Sequence, residues 1–171
     1  MMMEIIRQEN YKVTEWKGGV TREILIQPQG SSLVERNFDL RISSAVIESP
    51  ESTFSDFTGY RRCLLPVDGD ITLFRDSERI SLKWNEPFFF DGSDKIRSTN
   101  TQGAIDFNVI YREGTNVKVS VVSGEIVINT RSLIFALEAL QMGKATLQPY
   151  DSVLIDSQTN CFGRAIVVSF A

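Results

Sequence analysis

Residues Thr53 to Phe74, TFSDFTGYRRCLLPVDGDITLF, join an aromatic, polar loop to two β-prone apolar runs. The loop covers Phe54–Tyr60, and Asp68-Gly69 separates the first apolar run from the second. An Asp-Gly pair between two such runs is a strong hairpin signal. We therefore predict a β-hairpin at Asp68-Gly69, set in a β-barrel, with the preceding loop at the barrel mouth.

The rest of the chain also reads as short strands separated by turn signals. Apolar and polar residues alternate in Thr21–Ile26, Phe38–Ser43 and Asp106–Arg112. Many short strands with turns between them predict an all-β sandwich or barrel. Strict alternation would place Thr21, Glu23 and Leu25 on one face of their strand.

A weak internal repeat relates the two halves of the chain. Ser81–Asp91 aligns without gaps on Thr146–Asp156, and similar apolar runs, Leu64–Asp68 and Ile134–Glu138, precede the two segments. Chance similarity between apolar strands is the alternative explanation. The structure of 132–142 is ambiguous. Its Leu, Ala, Glu and Met content favours a helix by propensity, whereas the internal repeat favours a strand.

Composition narrows the functional classes. The 171 residues carry a net charge of −4 and contain no histidine. The acidic balance argues against a nucleic-acid partner, and the absence of an apolar run of about 20 residues argues against a membrane span. Without histidine there is no imidazole for metal binding or for acid–base catalysis. The N-terminus lacks the long apolar segment of a secretory signal, so we expect a cytoplasmic protein with two unpaired, buried cysteines.

Several segments resemble known families. Leu147–Ile155 is similar to the Leu-x-Pro-Gly-Asp signature of cupin domains, and Val67–Leu73 is similar to the turn of the first cupin motif. A narrower resemblance is to the HutD/Ves family of cupins, carried by four blocks in the family's order: Trp16–Ile24, Phe38–Ser43, Phe54–Arg62 and Asp106–Val109. The resemblance implies a cupin jelly-roll β-barrel with two fused cupin-like units in one compact chain, about 16–112 and 113–171. In the family the loop after the Trp is usually longer and contains an Asn, which this chain lacks.

The resemblance also indicates that no metal is bound. In metal-dependent cupins two His and a Glu precede the glycine that corresponds to Gly69. Arg62 falls near the Glu position and Ser55–Thr58 fall near the His pair. Neutral polar, aromatic and cationic groups do not replace nitrogen ligands around Fe, Mn or Zn, so we expect neither metal nor cofactor.

Polar residues recur on one face of several predicted strands. They describe either a polar pocket or the solvated faces of half-exposed strands, and Arg41 with Asp106 could also form a buried structural pair. The aromatic residues, Trp16 and Phe57 among them, line either a pocket mouth or the core. The family resemblance favours the pocket for Arg22, Arg41, Arg61 and Asn108. The predicted ligand-binding residues are Trp16, Thr21, Arg22, Glu23, Arg41, Ser43, Phe57, Arg61, Asp106 and Asn108.

Three functional hypotheses follow. The first is a binding protein for a small polar or carboxylate-bearing metabolite, since Arg presents a planar fork to carboxylates. The HutD resemblance implies a regulatory role in histidine utilisation and an N-acylated glutamate-type ligand. The second is a metal-independent isomerase or hydrolase acting on a similar metabolite, with Glu23, Asp106 or a tyrosine as acid or base. The third is an interaction module that forms a homodimer through strand edges.

Overall fold

The computed structural model describes residues 3–156 and 158–171, whose regular secondary structure is almost entirely β-strand. One short 3-10 helix, Gln8–Asn10, follows the first strand. The strands, in chain order, are β1 (Met3–Ile6), β2 (Lys12–Trp16), β3 (Gly19–Gln27), β4 (Leu40–Ile47), β5 (Glu51–Thr53), β6 (Tyr60–Asp68), β7 (Ile71–Arg75), β8 (Glu78–Ser81), β9 (Phe88–Asp91), β10 (Ile96–Asn100), β11 (Ala104–Arg112), β12 (Val117–Ile128), β13 (Ser132–Ala136), β14 (Leu140–Met142), β15 (Ala145–Leu147), β16 (Ser152–Ile155) and β17 (Thr159–Phe170). No helix in this part of the chain is long and apolar enough to cross a membrane.

The chain divides into two compact units. The first, Lys12–Gly114, contains a six-stranded sheet in the order β2-β3-β4-β11-β6-β9 and a four-stranded sheet in the order β5-β10-β7-β8. The pairings in both sheets are antiparallel. Both faces of β4 and β6 are largely buried, so inward-facing polar side chains on these strands are removed from bulk water.

The predicted hairpin at Asp68-Gly69 is wrong. β6 pairs with β9 and β11 in the six-stranded sheet, whereas β7 pairs with β8 and β10 in the four-stranded sheet. Asp68-Gly69 is therefore a corner at which the chain passes between sheets. Gly69 has a φ of 77°, and a Cβ there would lie 2.6 Å from Thr101 Oγ1. The corner needs glycine for both its backbone angle and its close approach to the next segment.

A β-bulge in β3 changes the predicted alternation. The register between β3 and β4 shifts between Glu23 and Leu25, so that Glu23 lies opposite Ser43 and Ile26 lies opposite Arg41. Directly opposed residues share one face of an antiparallel sheet. Ile26, not Leu25, therefore follows Glu23 on the inward face.

The second unit comprises residues 3–11 and Thr115–Ala171. Its sheet has the order β1-β16-β13-β17-β14-β15, with β12 also paired to β17. The ambiguous segment 132–142 forms two strands, β13 and β14. The N-terminal segment is fixed to this unit by the buried Asp151 carboxylate, which accepts hydrogen bonds from Arg7 Nη1 at 3.0 Å and from the Gln8 amide at 2.9 Å.

The pairing registers support the internal repeat over chance similarity. In the first unit Leu64 lies opposite Phe88 and Asn108. In the second unit Ile134 lies opposite Val153 and Val167. The sequence alignment matches Leu64 with Ile134 and Phe88 with Val153. The strands β6, β9 and β11 of the first unit thus correspond to β13, β16 and β17 of the second.

Candidate functional site

The first unit contains a half-open cavity of about 430 Å³. Two buried apolar clusters border it: one contains Ala45, Ile47 and Phe90, and the other contains Phe57 and Ile110. Between these clusters, β4, β6 and β11 place a polar band on the inward face. The band residues are Arg41, Ser43, Arg62, Asp106 and Asn108.

Strand pairing explains why the two arginines meet. Ile110 on β11 lies directly opposite Arg41 on β4 and directly opposite Arg62 on β6. Opposed residues on adjacent strands share a face, and neighbouring strands lie about 4.8 Å apart. Both guanidinium groups therefore enter the same cavity from either side of one central strand.

Arg41 is already compensated by a carboxylate. Its Nε donates to Glu23 Oε1 at 2.9 Å, and its Nη1 donates to Ser43 Oγ at 3.3 Å. The Arg41 side chain is 8% exposed and that of Glu23 17%. Glu23 thus neutralises one of the two cavity guanidiniums and fixes its orientation.

Arg62 is different, because it is buried without a carboxylate at ion-pair distance among the described residues. It is 6% exposed. Its Nη2 donates to Asn108 Oδ1 at 3.3 Å, and its Nε has no hydrogen-bond partner in the described part of the chain. Its guanidinium carbon lies 4.9 Å from the Phe54 ring centre and 5.2 Å from that of Phe57. The aromatic faces stabilise the cation, but they supply no hydrogen-bond acceptor for Nε.

Burial lowers the pKa of Arg62 to about 10, and the nearby Arg41 and Arg36 act in the same direction, while Asp106 opposes the shift. Arg62 therefore stays positively charged at neutral pH. A buried cation with an unused donor is costly unless something pairs with it. The cavity accordingly presents a positive charge that could hold an anion.

Asp106 is the titratable acid of the polar band. Its Oδ1 accepts a hydrogen bond from the Ala45 amide at 3.0 Å. Burial raises its pKa to about 7, although the Ala45 hydrogen bond and the positive charges of Arg62 and Arg41 favour the ionised form. The proposed structural pair between Arg41 and Asp106 is replaced by the Arg41–Glu23 pair.

The cavity mouth carries an exposed indole. Trp16 is 42% exposed, and its Nε1 donates to Thr21 Oγ1 at 3.0 Å. The ring lies against Gly18, where any Cβ would meet it. The short Lys17-Gly18 turn thus seats Trp16 beside the cavity.

Seven of the ten predicted residues line this cavity: Trp16, Thr21, Arg41, Ser43, Phe57, Asp106 and Asn108. Glu23 reaches it indirectly, through Arg41. Arg22 lies on the other face of β3, across from Val13 and Ser44. Arg61 points away as well, and its Nη1 lies 3.6 Å from Asp91 Oδ2.

Sequence analysis missed Arg62 as a binding residue, together with the smaller lining residues Thr14, Ser52 and Thr53. A signal for Arg62 was present, because counting back from Gly69 placed it where metal-dependent cupins carry an interior Glu. The same position that lacks a metal ligand is therefore an interior position that faces the cavity.

The second unit has no matching polar band at the corresponding positions. By the shared strand register, Arg62, Asp106 and Asn108 correspond to Ser132, Ala165 and Val167. Ala165 and Val167 belong to the apolar cluster that fills this unit. The two units share a register but differ in what occupies their interiors.

The cavity does not fit a metal ion. Its charged side chains are two guanidiniums and the Asp106 carboxylate, with Glu23 bound to Arg41. Across residues 3–156 and 158–171, no three His, Cys, Asp or Glu side chains form a group that could hold a metal. Two cations in the lining repel a metal ion, so these residues do not suit one.

This fold and cavity define an all-β, cupin-fold protein with a polar interior in its N-terminal half. The chain belongs to the HutD family, whose family model matches residues 8–166. The predicted family and fold class are therefore confirmed. Comparison with curated proteins gives no match.

Solved structures agree with this assignment. HutD from Pseudomonas fluorescens SBW25, determined in a formate condition, is 25% identical with a TM-score of 0.86, and the match covers 99% of this chain and 98% of that one. PA5104 from Pseudomonas aeruginosa PAO1, a conserved protein of unknown function, is 24% identical with a TM-score of 0.77, over 99% and 98% of the two chains. A cupin 2 conserved barrel domain protein from Leptotrichia buccalis shares the fold, at 12% identity and a TM-score of 0.61, over 98% of this chain and 96% of that one.

Proposed function

We propose that the cavity of the first unit binds a small carboxylate-bearing metabolite without a metal ion. The observation that carries the proposal is Arg62, a buried guanidinium that lines the cavity with no carboxylate at ion-pair distance among the described residues. A ligand carboxylate would supply the missing negative charge, in the planar geometry that guanidinium favours. The cavity volume of about 430 Å³ lies in the range of small-molecule sites.

The apolar clusters on either side of the polar band suit the aliphatic part of such a ligand. Membership of the HutD family supports a regulatory role in histidine utilisation and makes an N-acylated glutamate the first compound to test. A binding role requires only that the cavity hold the ligand and that the protein respond to it. It does not require a catalytic group.

Adjacent arginines provide a matched test. Arg62→Met keeps an unbranched apolar stem and removes the inward charge, whereas Arg61→Met removes an outward charge at the preceding position. Thermal shift and titration with N-acetyl-L-glutamate and glutarate would measure binding. In a Trp84→Phe background Trp16 is the sole tryptophan, so its emission reports directly on the cavity mouth.

We expect wild type and Arg61→Met to bind alike, and Arg62→Met to bind at least about tenfold more weakly, because a charged hydrogen bond contributes about 1.5–3 kcal/mol. Equal affinity in Arg62→Met would disprove the assignment of Arg62. Failure of folded wild type to bind any carboxylate at millimolar concentration would disprove the proposed function.

A further inference from the structure

We propose that Asp106 recognises the bound anion as a neutral acid: it takes up a proton when the anion enters and donates a hydrogen bond to it. The inference rests on the proposed function, since it assumes that the cavity takes a carboxylate. It adds a role for Asp106 as a hydrogen-bond donor to the bound anion.

The position of Asp106 makes this role available. It lines the same cavity as Arg62 and Asn108. Its Oδ1 is occupied by the Ala45 amide at 3.0 Å, and the described residues offer no hydrogen bond to Oδ2. A proton on Oδ2 would create a donor, which an ionised carboxylate lacks.

The charges around Asp106 favour that proton once an anion is present. Arg41 on β4 is paired with Glu23 of β3, and Asn108 on β11 is neutral. Arg62 on β6 is thus the main cation that offsets an ionised Asp106 in the empty cavity, and Arg41 contributes less. Arg36 from the 28–37 segment adds positive charge near Phe57.

A ligand carboxylate that binds Arg62 changes this balance. It takes over the guanidinium that had stabilised ionised Asp106, and it adds a like charge in the same enclosed space. Two carboxylates in one buried site cannot both remain ionised at low cost, so one is protonated. The resulting carboxyl–carboxylate hydrogen bond is of the strong, charge-assisted kind.

Protonation is inexpensive at neutral pH. Burial already raises the pKa of Asp106 to about 7 in the empty cavity, so the group is close to half protonated there. The proton comes from the buffer and ends on Asp106, and no covalent bond of the ligand breaks. Net uptake is then about half a proton at pH 7 and about 0.9 at pH 8.

Titration calorimetry in buffers of different ionisation enthalpy, phosphate and Tris, measures this uptake. The probes are glutarate and N-acetyl-L-glutamate, whose carboxylates are almost fully ionised from about pH 7 to 8.5. We expect the uptake given above, and an affinity that falls about eightfold between pH 7.5 and 8.5. No uptake by wild type at pH 8 would overturn the inference and leave the proposed function intact.

Two variants sharpen the result. Asp106→Asn supplies a neutral donor of the same shape, and we expect it to bind both probes without proton uptake and with an affinity independent of pH. Asp39→Asn, at an exposed carboxylate paired with Arg112, should behave as wild type. Persistent uptake in folded Asp106→Asn would also overturn the inference. If neither probe binds to folded wild type, the inference and the proposed function fall together.

Discussion

Arg61 and Arg62 are adjacent, yet only Arg62 enters the cavity, because successive side chains of a strand point to opposite faces. The sequence could not tell which one points inward. The run that follows, Cys63–Val67, is apolar throughout, since β6 is buried on both faces. Without alternation there is no pattern from which to read the inward face, and strand register supplies it only once the fold is known.

Arg41 and Ser43 lie on a strand whose sequence does alternate. Their alternation with Leu40 and Ile42 predicts a polar face, and the structure places both residues on one face of β4. The alternative, that such a face is solvated, does not hold for β4, where Arg41 is 6% exposed and Ser43 3%. Pattern alone identifies a polar face, and only tertiary packing shows that it is enclosed.

At the residue scale, Asp106 also predicts how stability depends on pH. Its pKa is raised from 3.8 to about 7 in the folded state. Between these values the folded state binds more protons than the unfolded state, so the free energy of unfolding falls as pH rises from about 4 to 7 and then levels off.

Replacing Asp106 by Asn should remove this loss. The variant is expected to gain stability relative to wild type across that interval, by up to about 4 kcal/mol at pH 7 and above. Urea denaturation of both proteins from pH 4 to 8 measures the difference. A difference that does not change with pH would contradict the raised pKa.

At the scale of the elements, most strands were predictable but the corner at Asp68-Gly69 was not. The local signal of a turn is the same whether the flanking strands pair with each other or join different sheets. Partner choice here is set by β9, β10 and β11, which lie distant in sequence. The bulge in β3 was not predictable for a similar reason, because it depends on the register between β3 and β4.

The corner yields a test with an internal control. Gly69 and Gly114 both have positive φ, 77° and 89°. A Cβ at Gly69 would crowd Thr101 Oγ1 and Ala104, whereas a Cβ at Gly114 would meet nothing within 4 Å. Both Ala variants bear the backbone strain, and only Gly69→Ala also bears the crowding.

We expect Gly114→Ala to lower the free energy of unfolding by about 1 kcal/mol and Gly69→Ala by about 2–3 kcal/mol. Chemical denaturation measures both. Equal losses of stability in the two variants would mean that the close contact of Gly69 with Thr101 and Ala104 relaxes without cost and does not fix the corner.

At the scale of the whole molecule, family and fold class were predictable because they depend on four blocks spread over 16–112. The membership of the two units was harder to predict, because residues 3–11 precede the first unit in sequence but belong to the second. That placement depends on the pairing of β1 with β16, which is a contact between the two ends of the chain and leaves no local signal.

The charge of the whole cavity predicts metal independence. Carboxylate binding should be unchanged by EDTA, and Ni²⁺, Zn²⁺ or Mn²⁺ should not raise the melting temperature, because two guanidiniums oppose a cation at the site. Thermal shift and titration before and after chelation check both points. Affinity that is lost with EDTA and restored by one of these metals would contradict the expectation.

The matched registers of β6, β9 and β11 with β13, β16 and β17 have an evolutionary consequence. If the halves descend from one duplicated ancestor, they have since been under different selection. At the corresponding positions one interior holds the uncharged residues Ser132, Ala165 and Val167, and the other holds buried charge. Selection for thermal stability alone should therefore push Arg62 and Asp106 towards residues like Ser132 and Ala165, so their charges persist only while function maintains them.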